Sequence, residues 1–149
     1  QEDDVLVASV SGHQGCAAAG DRVMGMLKNC GGAGFVTDGP MRDYAGLVEV
    51  GLPAWCTGLT PASPFTKGPA TVGLPINIGR QKIESGDVIV ADRDGVVVVP
   101  HNKIDFVINR LSKVADLEYS LDAEVRGGLK IPDPVKEMIL DDNVKFVDD

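Results

Sequence analysis

Over its first 58 residues the chain alternates apolar runs of strand length with stretches whose apolar side chains return at helical spacing. Val5-Leu6-Val7-Ala8-Ser9-Val10 predicts a buried strand. A glycine-containing loop, Ser11-Gly12-His13-Gln14-Gly15, and a run of small residues lead from it to Gly20-Asp21. Between Asp21 and Cys30, Val23, Met24, Met26 and Leu27 recur at helical spacing, and Gly31-Gly32 stops that helix. Gly34 to Thr37 reads as a second strand, closed by the turn Asp38-Gly39-Pro40. A short helix is expected from Tyr44 to Val50, ended by Gly51, and a third strand from Pro53 to Gly58. Strands joined through helices run in the same direction, so this half predicts a partly parallel sheet.

The second half changes character. Thr60 to Pro69 holds Pro61, Pro64 and Pro69 without periodicity and is expected to be a loop. Three strand-like runs follow, Val72 to Ile78, Asp87 to Ala91 and Gly95 to Val99, and the turn residues between them suit an antiparallel meander. Pro75 cannot donate to a ladder, so the first run is expected at an edge or a bulge. Lys103 to about Glu124 predicts a long amphipathic helix, with Ile104, Val107, Ile108, Leu111, Val114, Ala115 and Leu117 on one face. Gly127-Gly128 breaks it, and Pro134 to Leu140 predicts a short final helix. The length suits one domain over residues 1–149.

Charge narrows the partners. Fourteen Lys and Arg stand against 22 Asp and Glu, a formal net charge of −8. That balance argues against a nucleic-acid backbone or an anionic membrane, and leaves room for a local basic site that takes a small anion. No apolar run approaches the roughly 18 residues of a spanning helix, and none reads as a signal peptide. Cys16, Cys30 and Cys56 are odd in number and form no CxxC pair, which suggests free, buried or half-buried thiols in a reducing compartment. The expected location is the cytoplasm.

Candidate chemistry is concentrated before residue 44. Gly20-Asp21-Arg22-Val23 opens a helix, where free N–H groups and the helix dipole seat a carboxylate or phosphate; a plain N-cap role for Asp21 is the competing reading. Asp38-Gly39-Pro40, a tight turn at a strand's end, is a further candidate, although a plain turn is the simpler account of Asp38. Arg42-Asp43 lies just past a strand end, where open α/β sheets place ligands, although a solvated pair is the simpler account. The spacing D-x20-R-D gains weight because two successive strand–helix units bring both loops to one edge of the sheet. His13 and His101 read as a loop residue and a helix-entry residue, and Asp92-Arg93-Asp94-Gly95 as a hairpin turn, since it lacks the later acids of a calcium loop.

That spacing, with Gly34-Phe-Val-Thr-Asp-Gly-Pro-Met-Arg-Asp43, resembles the RraA-like family. This family contains the 4-hydroxy-4-methyl-2-oxoglutarate/4-carboxy-4-hydroxy-2-oxoadipate aldolases and the regulators of ribonuclease E activity. The resemblance continues through Gly51-Leu-Pro-Ala-Trp-Cys-Thr-Gly58 and through Ser85 to Pro100, roughly the first two thirds of the chain. It implies an α/β fold in which mixed sheet layers are sandwiched by helices, similar to the swivelling phosphohistidine domains, assembled as a homotrimer or hexamer. Family members normally carry helices and early strands ahead of the point where this sequence starts.

The resemblance also implies roles. Asp43 is then the carboxylate ligand of Mg²⁺ or Mn²⁺, with waters completing an oxygen shell. Arg42 contacts the keto oxygen of the substrate and stabilises an enolate. Gly20, Asp21, Arg22 and Val23 hold the pyruvyl carboxylate, and Asp21 positions the group whose proton moves. Glu118 or Glu124 is the expected contribution to a partner subunit's site. The implied activity is a class II pyruvate aldolase acting on a small oxo acid, with oxaloacetate decarboxylation at the side. The rival from the same family is a regulator that binds a ribonuclease or helicase and needs no metal carboxylate.

Overall fold

A computed structural model describes residues 1–65 and 67–147. The chain groups into two compact units, residues 1–104 and 105–149.

The first unit is built on a three-stranded parallel sheet of β1 (Val5–Ala8), β2 (Gly34–Thr37) and β3 (Ala54–Trp55), in that spatial order. Val5 pairs with Gly34 and Ala8 with Thr37, while Phe35 and Val36 pair with Ala54 and Trp55. The central strand is buried at every position, as its unbroken apolar run requires. Helix α1 (Asp21–Asn29) joins β1 to β2, and α2 (Tyr44–Val50) joins β2 to β3. Gly31, at φ +82°, terminates α1, and Gly51, at φ +66°, terminates α2. The two helices pack on each other and enclose Ala19, Met24, Phe35 and Met41, with Leu27, Leu47 and Val50 around them. Lys28 extends the contact by donating from Nζ to the Val50 carbonyl at 2.6 Å.

The antiparallel half departs from the expected meander. It consists of two separate hairpins, β4 (Ile76–Ile78) with β5 (Gln81–Ile83), and β6 (Val88–Ala91) with β7 (Val96–Val99). Strand β5 was not expected, because in Gln81-Lys82-Ile83 only Ile83 is buried and three residues show no alternation. The run from Val72 shrinks to Ile76–Ile78: Gly73 turns at φ +74°, Pro75 has no N–H to give, and Val72 is left 96% exposed. Asp92-Arg93-Asp94-Gly95 is the hairpin turn expected, with the Asp92 carboxylate accepting from the N–H groups of Asp94 and Gly95. This hairpin is tied to the parallel sheet by Trp55, whose indole Nε1 donates to the Asp92 carbonyl at 2.6 Å. A 3-10 turn at His101–Lys103 follows β7, so His101 does mark a helix entry.

The second unit comprises most of α3 (Ile104–Arg126), together with α4 (Asp133–Ile139). Gly128, at φ +96°, follows the break after Arg126. Neither helix buries a residue, and Ile108, Leu111 and Leu117 on the anticipated apolar face of α3 are exposed. Surface pairing contributes locally, through Asp122–Arg126 at 3.4 Å and the Arg110 guanidinium 5.3 Å from the Phe106 ring. Among the described residues no helix is long and apolar enough to cross a membrane. The cysteines correct an expectation: Cys16 is half-buried, but Cys30 and Cys56 are exposed, because one caps the end of α1 and the other lies in the loop after β3.

Candidate active site

Beyond the carboxyl ends of the three parallel strands the chain makes a second, looser ladder. Ala18 N–H donates to the Pro40 carbonyl at 2.7 Å, and Arg42 N–H to Ala19 at 3.1 Å. On the other side, Thr57 N–H reaches Gly39 at 3.1 Å, while Met41 N–H reaches Gly58 and Thr60 N–H reaches Met41, both at 2.9 Å. Isolated parallel bridges join Ala19 to Met41 and Met41 to Leu59. Three loops that are far apart in sequence are thus held side by side, with the fully buried Met41 as their central peg. Ligands of open α/β sheets bind at this edge.

Side chains lock the same edge. The Asp38 carboxylate accepts from Ser9 Oγ at 2.9 Å, from Val10 N–H at 2.6 Å and from Gly12 N–H at 2.9 Å. Gln14 bridges further, donating to the carbonyls of Gly12 and Asp38 and accepting from Thr57 Oγ1 at 2.6 Å. Asp38 is therefore more than a turn residue: it pins the loop after β1 onto the end of β2. His13 lies in that loop with its ring 6.1 Å from Phe65.

Of the residues singled out from sequence, Gly20 is brought against Arg42 and Asp43, and the others are not. Gly20 is the N-cap of α1, at φ −143°, and Asp21 is the first helical residue, so the plain N-cap reading of Asp21 is corrected. Gly20 has no side chain to offer, and Asp21 Oδ1 instead accepts from Arg22 N–H at 2.6 Å. Val23 N–H donates to the Gly20 carbonyl at 3.1 Å. A Cβ built on Gly20 would lie 2.5 Å from Asp43 Oδ2 and 3.0 Å from Arg42 Cγ, so this glycine is what lets the two loops approach. The carboxylate of Asp21 packs against Gly46 in α2, where a Cβ would fall 2.7 Å from Asp21 Cβ. Arg22 and Val23 are exposed at the start of α1. Glu118 and Glu124 are exposed on α3 in the second unit.

Asp43 adopts a left-handed conformation, φ 62° and ψ 46°, which asparagine and aspartate tolerate better than other L-residues. Its Oδ2 is 3.2 Å from Arg42 Nε, yet Nε is buried with no aligned hydrogen-bond acceptor among the described residues. The contact is one of charge rather than a formed hydrogen bond. Arg42 Nη1 donates to Ser63 Oγ at 2.8 Å. Arg42, Asp43, Tyr44, Leu59, Thr60 and Pro61 line an open cleft of about 360 Å³, enough for a small organic acid. A second, more apolar groove of about 450 Å³ runs between α2 and the segment after β3, past Leu47, Leu52 and Cys56.

Thr60, Pro61 and Ser63 were missed because residues 60–69 carry no period, and Leu59 because it directly precedes that stretch. The signal available was topological: if the loops after β1 and β2 reach one edge, the loop after the parallel β3 reaches it as well.

The donor set suits one kind of metal. Among the described residues no three His, Cys, Asp or Glu side chains gather into a ready-made cage. Asp43 offers one carboxylate that is 42% exposed and beside a cleft. A single carboxylate with open space fits Mg²⁺ or Mn²⁺, which keep several waters or substrate oxygens, better than a structural zinc.

A family model described as RraA-like, Aldolase/RraA, matches residues 1–98. A protein of Halalkalibacterium halodurans, named provisionally as a 4-hydroxy-4-methyl-2-oxoglutarate aldolase, is 39% identical over 110 residues, 74% of this chain and 52% of that protein. The chain thus spans about half the length of that relative. Among solved structures, an uncharacterised protein of Pseudomonas syringae aligns with a TM-score of 0.79 at 27% identity, covering 87% of this chain and 66% of the other. RraAS2 of Streptomyces coelicolor, described as an unusual member of the RNase ES inhibitor RraA family, aligns with a TM-score of 0.75 at 35% identity, covering 82% and 63%.

Proposed function

The chain belongs to the RraA-like family, and from that premise we propose that it is a divalent-metal-dependent carbon–carbon lyase that cleaves a 4-hydroxy-2-oxo acid to pyruvate. The observation that carries this reading is the packing of Gly20, at the start of α1, against Arg42 and Asp43, which line one cleft on the carboxyl edge of the parallel sheet.

Breaking the C3–C4 bond of such an acid requires removal of the C4 hydroxyl proton. The bonding pair moves to C3 and is shared with the C2 oxygen, a carbonyl compound departs, and a proton delivered to C3 gives pyruvate. In this reading the start of α1 receives the substrate carboxylate, drawn by the helix dipole and by amides near Gly20. Arg42 faces the C2 oxygen, where a guanidinium gains interaction energy as negative charge develops. Asp21 positions the hydroxyl or water that gives up its proton. Asp43 holds the metal, which when bound supplies a Lewis acid at the oxo-acid end. Oxaloacetate loses CO₂ through the same electron flow, so decarboxylation belongs to the proposal.

A cleavage screen with 4-hydroxy-4-methyl-2-oxoglutarate and oxaloacetate tests the reading. Pyruvate release should need Mg²⁺ or Mn²⁺ and stop in excess chelator. Full turnover in chelator, or borohydride trapping of substrate on a lysine, would refute it.

The second reading is a regulator that binds a ribonuclease, favoured by the likeness to RraAS2. That reading gives Arg42 and Asp43 no chemical task, and it predicts that their replacement leaves partner binding intact. A homotrimer or hexamer, with Glu118 or Glu124 contributing to a neighbouring copy, is part of the enzyme proposal.

A further inference from the structure

We infer that Ser63 is a positioning residue that sets the aim of the Arg42 guanidinium, a role that rests on the lyase reading for its catalytic consequence. Arg42 has two ties in the folded chain. Nε stands 3.2 Å from Asp43 Oδ2, and Nη1 donates to Ser63 Oγ at 2.8 Å. One directed, solvent-exposed hydrogen bond at Nη1 and one charge contact at Nε restrain the guanidinium, which leaves the Nη2 donors for an oxygen in the cleft that Arg42 lines. The tie to Asp43 is not an aligned hydrogen bond. Ser63 therefore supplies the directional part of the restraint.

The backbone under Ser63 is equipped for this. Thr60 N–H is bonded to the Met41 carbonyl at 2.9 Å, and Ala62 carries two further anchors. Its N–H donates to Thr60 Oγ1 at 3.3 Å, and its carbonyl accepts from Ala17 N–H at 3.1 Å. The segment just before Ser63 is thus bonded to the segment leading into α1 and to the residue preceding Arg42. A hydroxyl on such a platform can hold a cation at a set angle, whereas an arginine with no second tie samples several rotamers and loses part of its orientation.

The test compares Ser63→Ala with Ser63→Thr, alone and combined with Arg42→Ala. Ser63→Ala should lower kcat about tenfold, the scale of one hydrogen bond to a charged group, with KM within about twofold. Ser63→Thr, which keeps the hydroxyl, should restore most of kcat. In the Arg42→Ala background the Ser63 substitution should change nothing further, since its effect passes through the guanidinium. Additive losses, or a kcat unchanged in Ser63→Ala, would overturn the inference. A second readout needs no turnover: the ¹⁵N relaxation of the Arg42 Nε–H signal, assigned by its loss in Arg42→Ala. Its order parameter should fall in Ser63→Ala and recover in Ser63→Thr. If no oxo acid is cleaved by the parent chain, the lyase reading falls while this measurement still decides the restraint. An order parameter that ignores the hydroxyl would end the inference.

Discussion

Arg42 and Asp43 are adjacent, yet the structure asks different things of them, and substitutions separate the two. If the proposed lyase reading holds, Arg42→Ala removes a donor whose contribution grows with charge on the C2 oxygen, so the loss should fall on kcat rather than KM. By analogy with an oxyanion donor the expected cost is roughly 10²–10³ in kcat, or about 3–4 kcal/mol. Arg42→Lys, with charge but no planar fork, should recover only part. A folded Arg42→Ala protein whose kcat stays within about threefold of the parent would end the enolate role. Asp43 combines a proposed metal ligand with a left-handed backbone. Asp43→Ala should lose Mn²⁺ affinity and also place a methyl side chain in an unfavourable conformation. Asp43→Gly should lose the same affinity while standing about 1 kcal/mol above the alanine variant in urea unfolding. Unchanged calorimetric affinity in both would move the metal elsewhere. At this scale the sequence was a partial guide. D-x20-R-D led to the right pair of loops, since Gly20 packs against Arg42 and Asp43, but the Asp21 carboxylate itself packs against Gly46. Asp38 looked like an ordinary turn residue, since its hydrogen-bond donors Ser9, Val10 and Gly12 lie 26–29 positions away and no local pattern announces them.

Strands and helices carry their own test in Asp87, a residue of the turn before β6. One carboxylate oxygen accepts from Glu84 N–H and the other from His101 N–H, both at 2.9 Å, so it links the start of β6 to the 3-10 turn that follows β7. The Glu84 bond and then the His101 bond favour the charged form and hold the Asp87 carboxyl below its ordinary value. The sign follows from linkage. A carboxyl with a lowered folded pKa adds stability that is fully present above the unfolded value, and that stability disappears as pH falls through the folded one. Asp87→Asn should therefore lower the urea midpoint at neutral pH, with the gap from the parent closing below about pH 4. A gap constant from neutral to acid would assign the loss to something other than this ionisation. The same region shows where pattern reading fails. The parallel elements announce themselves because each is a full apolar run or a full helical period bounded by glycine. Strand β5 is too short to alternate, and β3 pairs over only Ala54 and Trp55 before the chain passes into the looser ladder.

For the whole molecule, the parallel-then-antiparallel plan was legible, and so was the family, because the motifs that carry it fall on the sheet edge and on the β6–β7 hairpin. The expectation of one domain rested on length, and periodicity alone makes a long amphipathic helix read as a core element. With no buried residue on α3 and an expected homotrimer or hexamer, light scattering should give a mass several times 15.7 kDa. Leu111→Asp and Leu117→Asp should reduce it if the exposed face of that helix is buried in the assembly. Full activity at the monomer mass would exclude a site shared between copies. The Trp55–Asp92 tether has a further use. The sequence contains one tryptophan, and its indole is bonded to a hairpin carbonyl while its ring lies 3.3 Å from where a side chain on Gly34 would begin. Tryptophan fluorescence, excited selectively at the red edge beyond the absorption of Tyr44 and Tyr119, therefore comes from a single joint, between the parallel sheet and the β6–β7 hairpin. A shift in emission at a denaturant concentration that leaves the helical dichroism intact would time the parting of that joint, giving a built-in optical clock for the order in which the first unit comes apart.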